Sequence, residues 1–283
     1  MTGQTAGDAR LRIRDLTLGI KGEYDFTEIL RGVSLDVAAG TVQGLAGESG
    51  SGKTITGLTV IGLEPANAVT TGEIWLGDTE LLALTGKKLN PIRGRRVGMV
   101  FQDPSTSLHP QLTIGSQLTD HVRCHLKESK AEAVERAVRA LDRVGIAGGA
   151  DTLRRYPHEF SGGQRQRIAI AMALACDPEV LIADEPTTAL DVTVQAGVLE
   201  LVRDLVDSLG LAVLFITHDL GVMSAIADRV AIMRFGEIVE EGEREQVFTG
   251  PRHEYTRSLL SSLPGAPGGL NSREDLERMG SLT

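Results

Sequence analysis

Cysteine is scarce: the 283 residues hold two, Cys124 and Cys176, far apart and without a C-x-x-C pairing. That excludes a disulfide framework and offers no metal-ligand spacing, so reduced thiols are the expectation. Long apolar runs are also missing. A membrane-spanning helix needs about 20 apolar residues, and the longest run, around Ile168 to Cys176, falls well short of that. The stretch Met1 to Arg10 is polar and lacks the apolar core of a secretory signal. Positive charge is in deficit, with 38 acidic against 29 basic residues and a net charge of -9. This argues against broad contact with nucleic-acid phosphates, and no nucleic-acid partner is expected. A solenoid-type repeat is absent as well. The remainder, 41% apolar and 24% charged, is ordinary for a soluble globular protein of one large domain or two lobes. At a membrane such a chain acts as a peripheral subunit.

The segment Gly47-Glu48-Ser49-Gly50-Ser51-Gly52-Lys53-Thr54 fits the phosphate-binding pattern G-x-x-x-x-G-K-[ST], and it follows the apolar strand candidate Thr41–Ala46. The glycines from Gly44 to Gly52 let backbone N–H groups fold around an anion. Lys53 adds a point charge for β- and γ-phosphates, and Thr54 offers a hydroxyl to Mg²⁺. A second apolar run, Glu179–Ala183, ends in Asp184 and Glu185. It reads as a buried parallel strand delivering acids to its C-terminal edge, where open α/β sheets bind ligands. There Asp184 reaches Mg²⁺ through water, and Glu185 faces an attacking water as base or orienting group.

Leu11–Leu18 and Val33–Val37 alternate apolar and polar residues, which predicts half-buried antiparallel strands ahead of the phosphate loop. Gly72–Gly77 and Arg96–Phe101 are further strand candidates. Between Thr113 and Gly145 the period becomes helical. Ser129-Lys130-Ala131-Glu132 matches a capping box, and Val134, Ala137, Val138, Leu141 and Val144 then recur at helical spacing. From Glu179 the chain alternates strand and helix again: Val194–Ser208 helical, Leu211–Thr217 and Arg229–Met233 extended, and a short helix from Tyr255 to Leu263. The Pro/Gly run after Leu263 reads as the start of a flexible tail.

Phe160-Ser161-Gly162-Gly163-Gln164-Arg165-Gln166-Arg167 is a glycine turn opening an alanine-rich helix, with Ser161 as N-cap. Such a helix start binds anions. Beside an existing phosphate loop it makes sense when two copies face head to tail and each closes over the other's γ-phosphate. With these residues in place, the chain resembles the ATP-binding subunit of an ATP-binding cassette transporter over about Leu11 to Leu263. Ser161-Gly162-Gly163-Gln164 matches the family signature, Gln102 its glutamine loop, Thr188-Ala189-Leu190-Asp191 its aspartate loop and Thr217-His218-Asp219 its histidine switch.

The resemblance implies an α/β fold: a P-loop ATPase core with a mixed sheet, a small antiparallel β layer and a helical insert. The ATP-binding domain would span residues 1–263, with the insert at about 103–178, followed by a tail at 264–283. It implies ATP and Mg²⁺ as cofactors. Gly47 to Thr54 hold the phosphates, Thr54, Gln102 and Asp184 serve the metal, Glu185 activates water and His218 contacts the γ-phosphate. Ser161, Gly162, Gly163 and Gln164 act on the partner's ATP across a dimer, and Asp191 links the two sites. For adenine the pattern departs: Ile20 stands where the family commonly has an aromatic, Tyr24 or Phe26 could substitute, and packing of both within the β layer is the other reading.

Phe101–Pro110, Asp184–Ala196 and Pro251–Leu260 resemble the dipeptide/oligopeptide and nickel importer subfamily, with His109 where Asn is commoner. The implied function is to energise an importer of di- or oligopeptides. A nickel or metallophore importer is the alternative, because no cysteine follows Cys176, and a soluble cassette ATPase is a further one. Implied partners are membrane-spanning permease subunits, a second ATP-binding subunit in a homo- or heterodimer and, indirectly, an extracytoplasmic solute-binding protein, all at the cytoplasmic face of the cell membrane. The loop Asp103–Pro110, including Ser105, Ser107 and Leu108, is the expected permease-docking surface.

Overall fold

A computed structural model describes residues 9–22, 24–103, 107–188 and 190–262. The expected tail at 264–283 lies outside them, as do Leu263 and Ser105. The chain passes through β1 (Ala9–Lys21), β2 (Phe26–Ala38), β3 (Val42–Ala46), α1 (Lys53–Val60), β4 (Ala68–Leu76), β5 (Thr79–Glu80) and β6 (Val97–Val100). The helices α2 (Ile114–Leu126), α3 (Lys130–Arg143), α4 (Gly149–Thr152) and α5 (Gly162–Leu174) follow. Next come β7 (Val180–Asp184), α6 (Val192–Leu209), β8 (Ala212–Thr217), α7 (Leu220–Ile226), β9 (Arg229–Arg234), β10 (Glu237–Glu243), α8 (Arg244–Thr249) and α9 (Glu254–Ser261). Two compact units result, residues 1–85 with 206–283 and residues 86–205. No helix among the described residues is long and apolar enough to cross a membrane.

The first unit carries an antiparallel sheet in the order β2-β1-β4-β5. Leu11 and Ile13 point inward, then the register shifts between Arg14 and Thr17, and Leu16 and Leu18 resume the buried face. Asp15 takes a φ of 46° at the shift, and a Cβ on Gly72 would stand 2.5 Å from its carbonyl oxygen. The bulge therefore fits only against glycine. In the same unit β3 lies between β8 and β9, parallel to both, while β10 pairs antiparallel to β9. All residues of β3 and β8 are buried, as a continuous apolar run between two covered faces requires. Gly44 is part of this packing rather than of the phosphate loop: a Cβ there would meet the Met223 sulfur of α7 at 2.0 Å.

In the second unit β6 and β7 run parallel, Val97 beside Val180 and Val100 beside Ala183. Gly98 lets the end of α5 approach, since a Cβ would stand 2.4 Å from the Ala173 carbonyl oxygen. The helical stretch expected after Thr113 is two helices, parted where Lys127 adopts a φ of 55°. The Ser129 capping box forms in both directions, and the buried face of α3 is Ala133, Ala137, Ala140 and Leu141. Arg136 pairs with Glu128 and Asp177, and Arg143 also pairs with Asp177, tying α3 to the turn ahead of β7.

Candidate functional site

The phosphate loop turns back on itself at glycines in conformations other residues avoid: φ is 80° at Gly50 and 109° at Gly52. Gly52 is also the N-cap of α1 and supplies no side-chain cap, so the first helical N–H groups point into the loop. Lys53 is 5% exposed, and its ammonium sits at the loop centre, donating to the carbonyls of Gly47 and Glu48 at 2.8 Å each. Thr54 is exposed at the mouth. A glycine-rich loop wrapped around a buried cation and opening a helix is a donor set that fits a polyphosphate.

Parallel register places a second element at the same edge. Ala46, the last residue of β3, lies beside Thr217, the last of β8, so Gly47 and His218 leave the sheet side by side. His218 is exposed at a strand-to-helix junction held by its neighbours. The Asp219 N–H donates to the Thr217 hydroxyl at 3.0 Å, and the Asp219 carboxylate caps α7 by accepting from Gly221 and Val222.

The second unit repeats this device. Val100 beside Ala183 brings Gln102 and Glu185 out at one edge, and the Gln102 Nε2 donates to Glu185 Oε2 at 2.9 Å. The Thr188 hydroxyl donates to the same oxygen at 2.9 Å. Glu185 is half-buried with a φ of 46°, a left-handed conformation uncommon for residues other than glycine, Asn and Asp. Asp184, 2% exposed, ends β7 just before it. Asp184 in the second unit and Thr54 in the first each offer a hard oxygen donor of the kind Mg²⁺ uses.

Ser161 caps α5 in a complete capping box: its hydroxyl accepts from the Gln164 N–H at 3.3 Å, and its own N–H donates to Gln164 Oε1 at 2.9 Å. The two glycines between them differ. A Cβ on Gly163 would fall 2.3 Å from Val194 Cγ1, whereas one on Gly162 would find its nearest neighbour, Leu190, at 4.0 Å. Gly163 is thus required for the start of α5 to pack on the start of α6. Asp191 has an intrachain task as well, its carboxylate accepting from the Val194 N–H at 2.9 Å in the manner of an N-cap.

Of the adenine candidates, Ile20 is half-buried, Phe26 is 58% exposed and Tyr24 is 93% exposed. Tyr24 does not pack the β layer. Phe26 does in part, because its ring occupies the space a Gly19 side chain would need. Of the expected docking loop, residues 104–106 lie outside the described residues. Leu108 is 1% exposed and belongs to the core, while His109 is anchored through Gln117, which accepts from its N–H and donates to its carbonyl. Loop composition signals polarity and turn formation but cannot show that one leucine turns inward.

Residues overlooked in the sequence also shape the phosphate loop. The Gly236 N–H donates to the Ser51 carbonyl at 2.9 Å, and a Cβ on Gly47 would lie 2.1 Å from the Met233 carbonyl oxygen. The Glu48 N–H donates to the Tyr255 hydroxyl at 3.3 Å. Burial pushes the Tyr255 phenol above its ordinary value. Only the run Pro251–Leu260 hinted at this region, through its subfamily likeness.

Residues 30–188 match the family described as ABC transporter. The chain is 46% identical to the probable peptide ABC transporter ATP-binding protein y4tR of Sinorhizobium fredii (strain NBRC 101917 / NGR234), across 96% of this chain and 82% of that protein. It is 46% identical to the oligopeptide transport ATP-binding protein OppD of Bacillus subtilis (strain 168), across 90% of this chain and 72% of that protein. Among solved structures, cbiO1 from Clostridium perfringens, part of the ABC transporter complex cbiONQ, aligns with a TM-score of 0.73 at 27% identity, covering 97% of this chain and 98% of that one. The ATP-binding cassette MJ0796, solved as a dimer bound to ADP and Pi, aligns with a TM-score of 0.71 at 28% identity, covering 83% and 98%.

Proposed function

Because the chain belongs to the ABC transporter family and is an ATPase coupled to transport, we propose that it powers an importer of di- or oligopeptides as one half of an ATP-closed pair of cassettes. The observation that carries the chemistry is the Gln102–Glu185 hydrogen bond, which fixes a carboxylate at a strand edge with one oxygen held by two donors. Glu185 takes a proton from water as the water oxygen bonds to the γ-phosphorus. The bond from that phosphorus to the bridging oxygen breaks, and ADP and phosphate leave. No covalent protein intermediate is needed, since phosphoryl transfer to water is promoted by positioning and charge stabilisation.

Lys53 and the loop of residues 47–54 hold the β- and γ-phosphates, and His218 contacts the γ-phosphate from the neighbouring strand end. Thr54, Asp184 and Gln102 would hold Mg²⁺, which would supply positive charge against that of the phosphates. Ser161, Gly163 and the N-terminus of α5 complete the partner's site. Nucleotide binding closes the pair and hydrolysis reopens it, driving permease subunits at the cytoplasmic face of the membrane. A solute-binding protein selects the cargo outside.

The test is co-purification with membrane partners followed by uptake in reconstituted vesicles. Labelled di- and oligopeptides should enter only with internal ATP. Uptake of Ni²⁺ without peptide, or failure to recover any permease, would overturn the assignment.

A further inference from the structure

The last described helix reaches back to the phosphate loop. Tyr255, in the first turn of α9, lies 207 positions from Glu48, yet its hydroxyl accepts the Glu48 backbone N–H at 3.3 Å. Three restraints aim it. The Arg234 guanidinium stands 4.5 Å over its ring, His253 Nδ1 accepts its backbone N–H at 3.1 Å as N-cap of α9, and the ring is 6% exposed. Glu240, 8% exposed on β10, fixes the approach by accepting the N–H groups of Arg252 at 2.8 Å and His253 at 3.0 Å. Together with the Gly236-to-Ser51 bond, these contacts form a collar on the loop from outside its own sequence.

We infer that Tyr255 is a positioning residue for ATP binding. The same Glu48 peptide region that Tyr255 holds through its N–H carries the carbonyl on which Lys53 Nζ rests at 2.8 Å. Releasing the N–H loosens the frame that presents both the ammonium and the loop N–H groups to phosphate. Such a loss falls on binding and leaves the reacting groups Gln102 and Glu185 untouched. The inference rests on reading residues 47–54 as the phosphate loop.

The experiment measures KM for ATP, kcat and melting temperature on the full chain for wild type, Tyr255→Phe, His253→Ala and His253→Asn. Removal of one neutral hydrogen bond should raise KM about five-fold, with kcat within about two-fold of wild type and a melting temperature lowered by no more than about 4 °C. His253→Ala should raise KM in the same direction, and His253→Asn, which keeps a capping acceptor, should restore it. An unchanged KM in Tyr255→Phe, or a lower melting temperature without a KM effect, would overturn the inference. An unresponsive His253→Ala would overturn the aiming role of the cap. Absence of any ATP hydrolysis by wild type would instead overturn the phosphate-loop reading itself.

Discussion

The Gln102 amide donates to Glu185 Oε2 across 2.9 Å, joining the segment after one parallel strand to the segment after its neighbour. The bond holds the carboxylate proposed to take the water proton while adding no charge of its own. Gln102→Glu would set a second carboxylate beside the first, and two like charges at that distance raise one pKa. Hydrolysis should fall at neutral pH, and the acidic limb of the pH–rate profile should move to higher pH. A profile that keeps its wild-type midpoint would show that Gln102 does not touch the Glu185 carboxylate during turnover.

The two glycines of the signature turn should separate cleanly. Gly163→Ala forces a Cβ to within 2.3 Å of Val194, which overpacking at such contacts puts at about 1–3 kcal/mol of lost stability. Gly162→Ala meets nothing closer than 4.0 Å and should leave unfolding midpoints unchanged or slightly higher. Val194→Ala should rescue Gly163→Ala, as denaturant titration of the four proteins can decide.

Asp191 illustrates a local role beneath the one its motif implies. Asp191→Ala removes the acceptor for the Val194 N–H and should cost about 1 kcal/mol, while Asp191→Asn, itself a good N-cap, should cost little. Equal losses in both variants, read by urea unfolding, would show that the charge rather than the cap matters.

Asp177 should contribute an acid-sensitive share of stability. Burial raises its pKa, but pairing with Arg143 and Arg136 outweighs that, and the carboxyl ends below its ordinary value. A depressed folded pKa means stabilisation that is present above the unfolded pKa and lost as pH falls through the folded one. Asp177→Asn tolerates the φ of 51° at this position, so the substitution isolates the charge. The variant should be less stable than wild type at neutral pH, with the gap closing as pH drops below the usual aspartate range. A gap independent of pH would remove the ion pairs as its cause.

Much of this was legible because it is local. The Ser129 and Ser161 caps, the phosphate-loop glycines and the buried runs of β3, β7 and β8 each follow from neighbouring residues and one periodicity. What escaped is set by distant partners. Glu237–Glu243 is too acidic to announce a strand, and it forms one because Phe235 and Gly236, at φ of 49° and 85°, turn it back along β9 as a two-residue hairpin. Ala133 and Ala140 carry too little apolar signal to mark the face they bury. The Tyr255–Glu48 contact spans 207 positions, and no sequence period encodes it.

In the proposed reaction Glu185 serves the hydrolysis of ATP held by the loop around Lys53. The direct measurement is ATP affinity and steady-state hydrolysis of Glu185→Gln beside wild type. Glutamine keeps the shape but cannot accept the water proton, so affinity should be retained while turnover falls by about 10²-fold or more. Near wild-type hydrolysis by Glu185→Gln, or loss of ATP binding with it, would contradict the assignment.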